Sequence, residues 1–219
     1  MKKLSRSLIP VALVLLGACG DGRAVASSYS APPAPTPATG ATPWPLAADP
    51  MMLVRQAGLN PGTMEFFTYH VHAHLDVYVN GSHVQIPGGI GIDVTDSVIH
   101  KGVTNGAPSH GGIPPSGCPR PCVSPLHTHF VDGVIHIEAP TKKQFTLGQF
   151  FREWGVRLDS SCVGGYCRPE ASVAVFVDGK QQTGNRGDIP LVDHAEIAVV
   201  IGAPPQHIPV KYAFAPGER

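Results

Sequence analysis

The sequence predicts an α+β fold that is rich in β structure, in which hairpins and a mixed sheet pack against one helix. Three observations lead to this class. Apolar and polar residues alternate from Phe67 to Val79, as in a strand with one buried face. Asn-Gly or Asp-Gly pairs at residues 80–81, 132–133 and 178–179 are typical of two-residue hairpin turns. A single apolar stripe with helical spacing follows Thr146.

The first 48 residues carry signals for export rather than for folding. Residues 1–18 join a positively charged start to a short apolar run, which is typical of a signal peptide and too short to span a membrane. The segment Leu16-Gly17-Ala18-Cys19 resembles a bacterial lipobox and predicts lipid on Cys19; an ordinary signal peptide with an incidental cysteine is the alternative. Residues 19–48 are rich in Ala and Pro, so we expect a tether that holds the protein at the cell envelope.

The folded part is predicted to start with a short helix over residues 51–57. Asp49 is suited to the N-cap, Pro50 to the first turn and Gly58 to the stop. We assign residues 49–124 to this helix, the hairpin that follows and a long loop.

A strand over residues 63–79 is predicted next, with one apolar face. Its other face carries His70, His72 and His74, followed by Asp76. The turn at residues 80–81 sets the register of the hairpin, in which Val79 pairs with Ser82, Val77 with Val84 and Leu75 with Ile86.

Residues 100–125 are rich in Gly, Pro and Cys and show no periodicity, so we expect a long loop. His100 and His110 in this loop are possible further ligands, although single loop histidines are usually only solvated. The compartment of an exported protein favours disulfides, and we predict the local pairs Cys118/Cys122 and Cys162/Cys167. A zinc site made of all four thiolates is the alternative.

Residues 126–139 predict a second hairpin, turning at residues 132–133. In that register Phe130 opposes Ile135, Thr128 opposes Ile137 and Leu126 opposes Ala139, which gives an apolar face. The other face pairs His129 with His136 and His127 with Glu138. Because opposed side chains have Cβ atoms about 4.5–5.5 Å apart, this hairpin gathers three imidazoles and a carboxylate in one patch.

A helix and two more strands complete a unit over residues 125–203. Thr146 and Gln149 form a capping box, and the apolar stripe up to Trp154 predicts core packing. Gly155 ends this helix. Strands are expected at residues 173–177 and 196–201, and residues 204–219 are predicted to form an irregular tail.

Two resemblances follow from these segments. The order of hairpin, capped helix, strand and final strand from Leu126 to Ile201 resembles the β-grasp, or ubiquitin-like, layout. The folded part also resembles a group of uncharacterised bacterial secreted proteins with an HxHxH strand, an LHTH segment and an FTLGQFF helix, which here begin at His70, Leu126 and Phe145. Both resemblances imply architecture and neither implies an activity.

The histidines indicate metal binding. The chain has eleven histidines against sixteen Lys plus Arg, and a formal net charge of zero, which gives no reason to expect nucleic acid as a partner. Imidazole suits both zinc and copper. The predicted ligands are His127, His129, His136 and Glu138, to which His70, His72 and His74 add ligands or a second ion.

Three functions are compatible with such a site. The first is a lipid-anchored protein that handles copper or zinc at the cell envelope. The second is a metal-dependent hydrolase or lyase, in which three histidines hold the ion and Glu138 or Asp76 acts as base. No HExxH helix and no nucleophile elbow accompany it, so an enzyme is the less favoured interpretation. The third is a structural surface module that a metal stabilises.

Overall fold

The computed structural model describes residues 44–218. Its two α-helices are α1 (Pro50–Gln56) and α2 (Leu147–Trp154). The strands are β1 (Tyr69–Val79), β2 (Ser82–Val84), β3 (Lys101–Thr104), β4 (Ala107–His110), β5 (Leu126–His127), β6 (Val134–Ala139), β7 (Phe145–Thr146), β8 (Cys162–Val163), β9 (Tyr166–Cys167), β10 (Val173–Val177), β11 (Lys180–Gln181), β12 (Pro190–Leu191) and β13 (Glu196–Ile201). The signal peptide, Cys19 and the predicted tether up to residue 43 lie outside the described residues. Residues 44–48 of that tether are described: Trp44 is buried in the core and Leu46 packs against it.

One mixed sheet organises the fold. Its strand order is β11-β10-β13-β1-β6-β5, and β2 also pairs with β1. β1 is parallel to β13, with Leu75 beside Ile197, and antiparallel to β6, with His72 beside His136. The α+β, β-rich class is therefore confirmed, and strands from residues 49–124 and 125–203 belong to the same sheet.

The helices pack on the apolar face of this sheet. Ala73, Leu75 and Val77 of β1 are buried in one cluster with the α2 residues Phe150 and Trp154. The α2 capping box and its end at a left-handed Gly155 match the prediction, and α1 adds Met51 and Val54 to the same core. Because both helices cover the apolar face, the histidine face of β1 points away from them.

The first hairpin follows its predicted register only next to the turn. Asn80 and Gly81 both have positive φ, at 50° and 80°, as a type I′ turn requires. Val79 pairs with Ser82 and Val77 with Val84, as expected. The pairing of Leu75 with Ile86 is wrong, because β2 ends at Val84 and the Leu75 amide donates a hydrogen bond of 3.0 Å to the carbonyl of Gly133.

The register of the second hairpin differs from the prediction by two residues. Leu126 pairs with Ile137 and His127 with His136, so the predicted partners of Leu126, His127, Thr128, His129 and Phe130 are wrong. Residues 128 and 129 leave the hairpin because they bond to other loops: the Thr128 hydroxyl donates to the Pro87 carbonyl (2.8 Å), and the His129 carbonyl accepts from the His110 amide (2.9 Å). A shift of two residues leaves every side chain on its predicted face.

Two segments have a secondary structure other than the predicted one. β1 begins at Tyr69 rather than at residue 63, because the Thr63 carbonyl and the Phe66 amide bond to Cys118 and Glu138 instead of to a strand. Residues 100–125 contain the hairpin β3–β4, which turns at Asn105-Gly106 with φ values of 51° and 80°. All of β3 is exposed, so no apolar alternation marked it, and the Asn-Gly pair was the signal that could have found it.

The cysteines pair locally, as predicted. Cys118 is bonded to Cys122 and Cys162 to Cys167, which is compatible with an exported protein. Between residues 44 and 218 no helix is both long and apolar enough to cross a bilayer. Residues 204–215 form no helix or strand, in line with the predicted irregular tail, and a 3₁₀ turn occupies Pro216–Glu218.

Candidate metal centre

Histidines from three neighbouring strands meet on the sheet face opposite the helices. His72 of β1 lies beside His136 of β6, which in turn lies beside His127 of β5, and His70 lies beside Glu138. The ring of His129 lies 4.5 Å from that of His136, centroid to centroid. We call this set the histidine cluster; its members are His70, His72, His127, His129, His136 and Glu138. Six of the seven predicted ligands are therefore brought together.

In both His127 and His129, Nδ1 lies close to a backbone carbonyl, and the two Nε2 atoms face each other. Nδ1 of His127 lies 2.9 Å from the Ser124 carbonyl, and Nδ1 of His129 lies 2.5 Å from the His110 carbonyl. A carbonyl only accepts, so both Nδ1 atoms carry the proton and both Nε2 atoms are left with a lone pair. These two Nε2 atoms are 3.2 Å apart. Two acceptors at this separation repel each other unless a proton or a metal ion lies between them.

A proton is a poor candidate for that cation. His127 is completely buried, and burial together with the neighbouring His129 holds the pKa of His127 well below its usual range. Burial also lowers the pKa of His136, and the surrounding imidazoles lower it further. His127 and His136 therefore favour neutral imidazole, which is the form that binds a metal ion.

Glu138 supplies a carboxylate at the centre of the cluster. Its Oε1 lies 3.3 Å from His70 Nε2, 3.8 Å from His127 Nε2 and 4.0 Å from His136 Nδ1. This oxygen is buried and makes no hydrogen bond, whereas Oε2 accepts one of 2.8 Å from the Phe66 amide. Burial raises the pKa of Glu138 to about 8. The carboxyl is thus held among nitrogen atoms without a partner that satisfies Oε1.

Glu65 is a second carboxylate at the cluster, and the sequence interpretation missed it. Its Oε1 lies 3.4 Å from His129 Nε2, is buried and makes no hydrogen bond. A strand beginning at residue 63 would place odd-numbered positions, Glu65 among them, on the apolar face. Because residues 63–68 are not a strand, that parity does not apply. No signal in the sequence singles this residue out.

The donor spacings fit a metal ion. A tetrahedral zinc site with Zn–N bonds of about 2.0–2.1 Å has its ligand atoms about 3.3–3.4 Å apart. The Nε2 atoms of His127 and His129 are 3.2 Å apart, as are His70 Nε2 and His136 Nδ1. Two sets of three histidines have one ligand atom each within 4.8 Å of one another. These sets are His70, His72 and His136, and His127, His129 and His136.

His74 lies on the same face but belongs to a separate set with Asp76 and Glu196, which we call the His74 group. Nδ1 of His74 is 2.8 Å from Glu196 Oε2, and Nε2 is 2.8 Å from the Asp132 carbonyl. Burial alone would lower the pKa of His74, but the hydrogen bond and charge of Glu196 raise it overall. Tyr212 stacks on the ring, with centroids 3.7 Å apart. Both nitrogens of His74 are therefore engaged.

The two loop histidines and Asp76 have other surroundings. His100 is exposed, and His110 contributes its backbone carbonyl to His129 rather than a ring nitrogen. Asp76 accepts a hydrogen bond of 2.8 Å from His83, away from the histidine cluster.

Comparison with protein-family models, with curated proteins and with solved structures found no match for this chain.

Proposed function

We propose that this chain is a metal-binding lipoprotein of the bacterial cell envelope, which takes Zn²⁺ or Cu²⁺ in its histidine cluster. The observation that carries the proposal is the pair of facing Nε2 atoms on His127 and His129, 3.2 Å apart with both Nδ1 atoms tied to carbonyls. A divalent ion satisfies both lone pairs at once. A buried proton does so poorly, since burial lowers the pKa of His127.

The donor types support zinc or copper over other ions. The cluster offers imidazole nitrogens and carboxylate oxygens, and imidazole suits both of these metals. The four cysteines within the described residues are held in disulfides and offer no thiolate. The carbonyls that hold His127 and His129 correspond to the outer hydrogen bonds that usually fix the tautomer of a histidine ligand.

Metal analysis of the purified full chain in detergent tests this function. We expect at least one ion per chain by inductively coupled plasma mass spectrometry after growth with zinc or copper. The variant His127→Ala/His129→Ala should hold less metal, whereas His100→Ala/His207→Ala, which removes two exposed histidines, should hold as much as wild type. A wild-type chain without stoichiometric metal would exclude the proposal. An exchangeable water on the bound ion would instead favour the hydrolase alternative.

The envelope anchor is tested separately. Cys19→Ser removes the thiol that would carry lipid, so we expect the variant to leave the membrane fraction while keeping its metal content. Membrane association unchanged by this substitution would contradict the lipoprotein assignment and leave the metal site unaffected.

A further inference from the structure

The histidine cluster contains more donors than one ion of this kind takes. Zinc sites are almost always four-coordinate, with Zn–N distances of about 2.0–2.1 Å. Five imidazoles and two carboxylates, Glu138 and Glu65, are within reach of each other through the contacts described above. The shortest donor-to-donor distances define two sets, and His136 lies within reach of both.

The first set lies between β1 and β6. His70 Nε2 is 3.2 Å from His136 Nδ1 and 3.3 Å from Glu138 Oε1. His72 adjoins this set, with its ring centroid 4.6 Å from that of His70. Two of the three donor spacings are thus close to those of a tetrahedral site, and the third, from His136 Nδ1 to Glu138 Oε1, is 4.0 Å.

The second set lies at the outer side of β5. His129 Nε2 is 3.2 Å from His127 Nε2 and 3.4 Å from Glu65 Oε1. It repeats the composition of the first set, with two imidazoles and one carboxylate. Glu65 Oε1 is a buried oxygen without a hydrogen bond, so this set has its own unsatisfied oxygen directed at the histidines.

Glu138 joins the two sets. Its Oε1 belongs to the first set and also lies 3.8 Å from His127 Nε2 of the second. Two-metal sites in proteins have their ions about 3.5–4 Å apart, and a carboxylate between them is compatible with that separation.

We propose that the histidine cluster holds two divalent ions, with Glu65, His127 and His129 binding the second and Glu138 lying between them. This inference rests on the proposed metal-binding function and adds to it the stoichiometry and a ligand, Glu65.

Equilibrium loading of the full chain in detergent with Zn²⁺ tests the stoichiometry, measured by mass spectrometry after removal of free ion. The expected ratio is two ions per wild-type chain, one for Glu65→Gln and two for the control Glu170→Gln, whose carboxylate is exposed. A ratio of one in wild type overturns the two-ion inference and leaves the proposed function standing. A ratio of zero overturns both. A ratio of two in Glu65→Gln removes Glu65 from the site.

A second measurement separates a paired centre from two unrelated ions on the surface. Loading with Cu²⁺ should give a magnetically coupled electron paramagnetic resonance signal in wild type, since the two ions lie within a few ångströms. Glu65→Gln and His129→Gln should each give the signal of an isolated ion. Two uncoupled ions in wild type would overturn the inference. Far-ultraviolet circular dichroism equal to wild type verifies that each variant is folded.

Discussion

The histidine cluster and the His74 group lie side by side on one sheet face and differ in what opposes each imidazole. His72 and His127 both lie beside another histidine, His136, whereas His74 lies beside Glu196. Imidazoles gathered together suppress one another's protonation, and a buried carboxylate promotes it. In the first arrangement neutral imidazoles are favoured, and in the second the pKa of His74 is raised and both of its nitrogens are occupied. The neighbouring residues thus distinguish His72 and His127 from His74, whereas His70 lies beside Glu138 and still has a pKa lowered by burial and by His72.

The largest effect is expected from Glu138→Gln in the cluster. The amide keeps the shape of the side chain but cannot ionise to bind a metal ion among His70, His127 and His136. We expect metal affinity to fall by at least about 100-fold, because even outer-shell substitutions cost about 10–100-fold. Titration with a competing chelator measures this change. The matched variant Glu196→Gln, in the His74 group, should keep wild-type affinity, and a comparable loss there would contradict the separation of the two regions.

His74→Ala should act on stability instead of metal binding. This substitution leaves the Glu196 carboxyl, which is 1% exposed, without its partner, His74 Nδ1, at 2.8 Å. Breaking a buried ion pair on one side costs about 3–5 kcal/mol, so we expect the free energy of unfolding to fall by about 3 kcal/mol. Urea denaturation of the metal-free protein measures this. His83→Ala, which removes a half-exposed partner of Asp76, should cost less than about 1 kcal/mol. Loss of the metal ion in His74→Ala would contradict the separation of the His74 group from the histidine cluster.

Ser124→Ala tests whether the turn before His127 helps to position the His127 ring. The Ser124 hydroxyl donates to the buried Glu153 (2.5 Å) and accepts from the Leu126 amide (3.2 Å), and its carbonyl holds His127. Without the hydroxyl this turn is held less firmly, and we expect metal affinity to fall by about 10-fold, the lower end of outer-shell effects. Ser161→Ala at an exposed site is the control. Unchanged affinity would mean that the backbone alone fixes the His127 ring.

The smallest effect is a difference in pH dependence. The raised pKa of His74 means that its stabilisation is fully present below the unfolded value of about 6.5 and is lost as pH rises through the folded pKa. The cost of His74→Ala in metal-free protein should therefore shrink as pH rises above about 6.5. The lowered pKa of His127 has the opposite sign: folded His127 stays neutral while the unfolded one binds a proton below about pH 6.5.

The cost of His127→Gln should accordingly shrink as pH falls from about 6.5 to 5. The expected change is on the order of 1 kcal/mol per pH unit for each proton. Urea titrations of both variants at several pH values measure it. Parallel trends in the two variants would show that His74 and His127 do not differ in charge.

Local sequence patterns were sufficient to predict which side chains share a face. Alternation along β1 and the turn at Asn80-Gly81 placed His70, His72 and His74 opposite a buried apolar row, and the capping box placed α2, because these signals act over a few residues. The same parity kept His127, His136 and Glu138 together even though the hairpin register was two residues off. The fold class and most of the candidate ligands followed from such local rules.

Which of those side chains meet depends on long-range strand pairing. The pairing of β1 with β6 and β13 joins residues far apart in sequence, and it alone puts His72 beside His136 and His74 beside Glu196. Long-range hydrogen bonds from residues 128 and 129 to other loops give the second hairpin a register different from the predicted one. Because β1 begins only at Tyr69, Glu65 is not part of the strand and its side chain reaches His129. Alternation fixes a face, but it carries no information on which strand becomes the neighbour, and that neighbour decides which charged and polar groups surround each histidine.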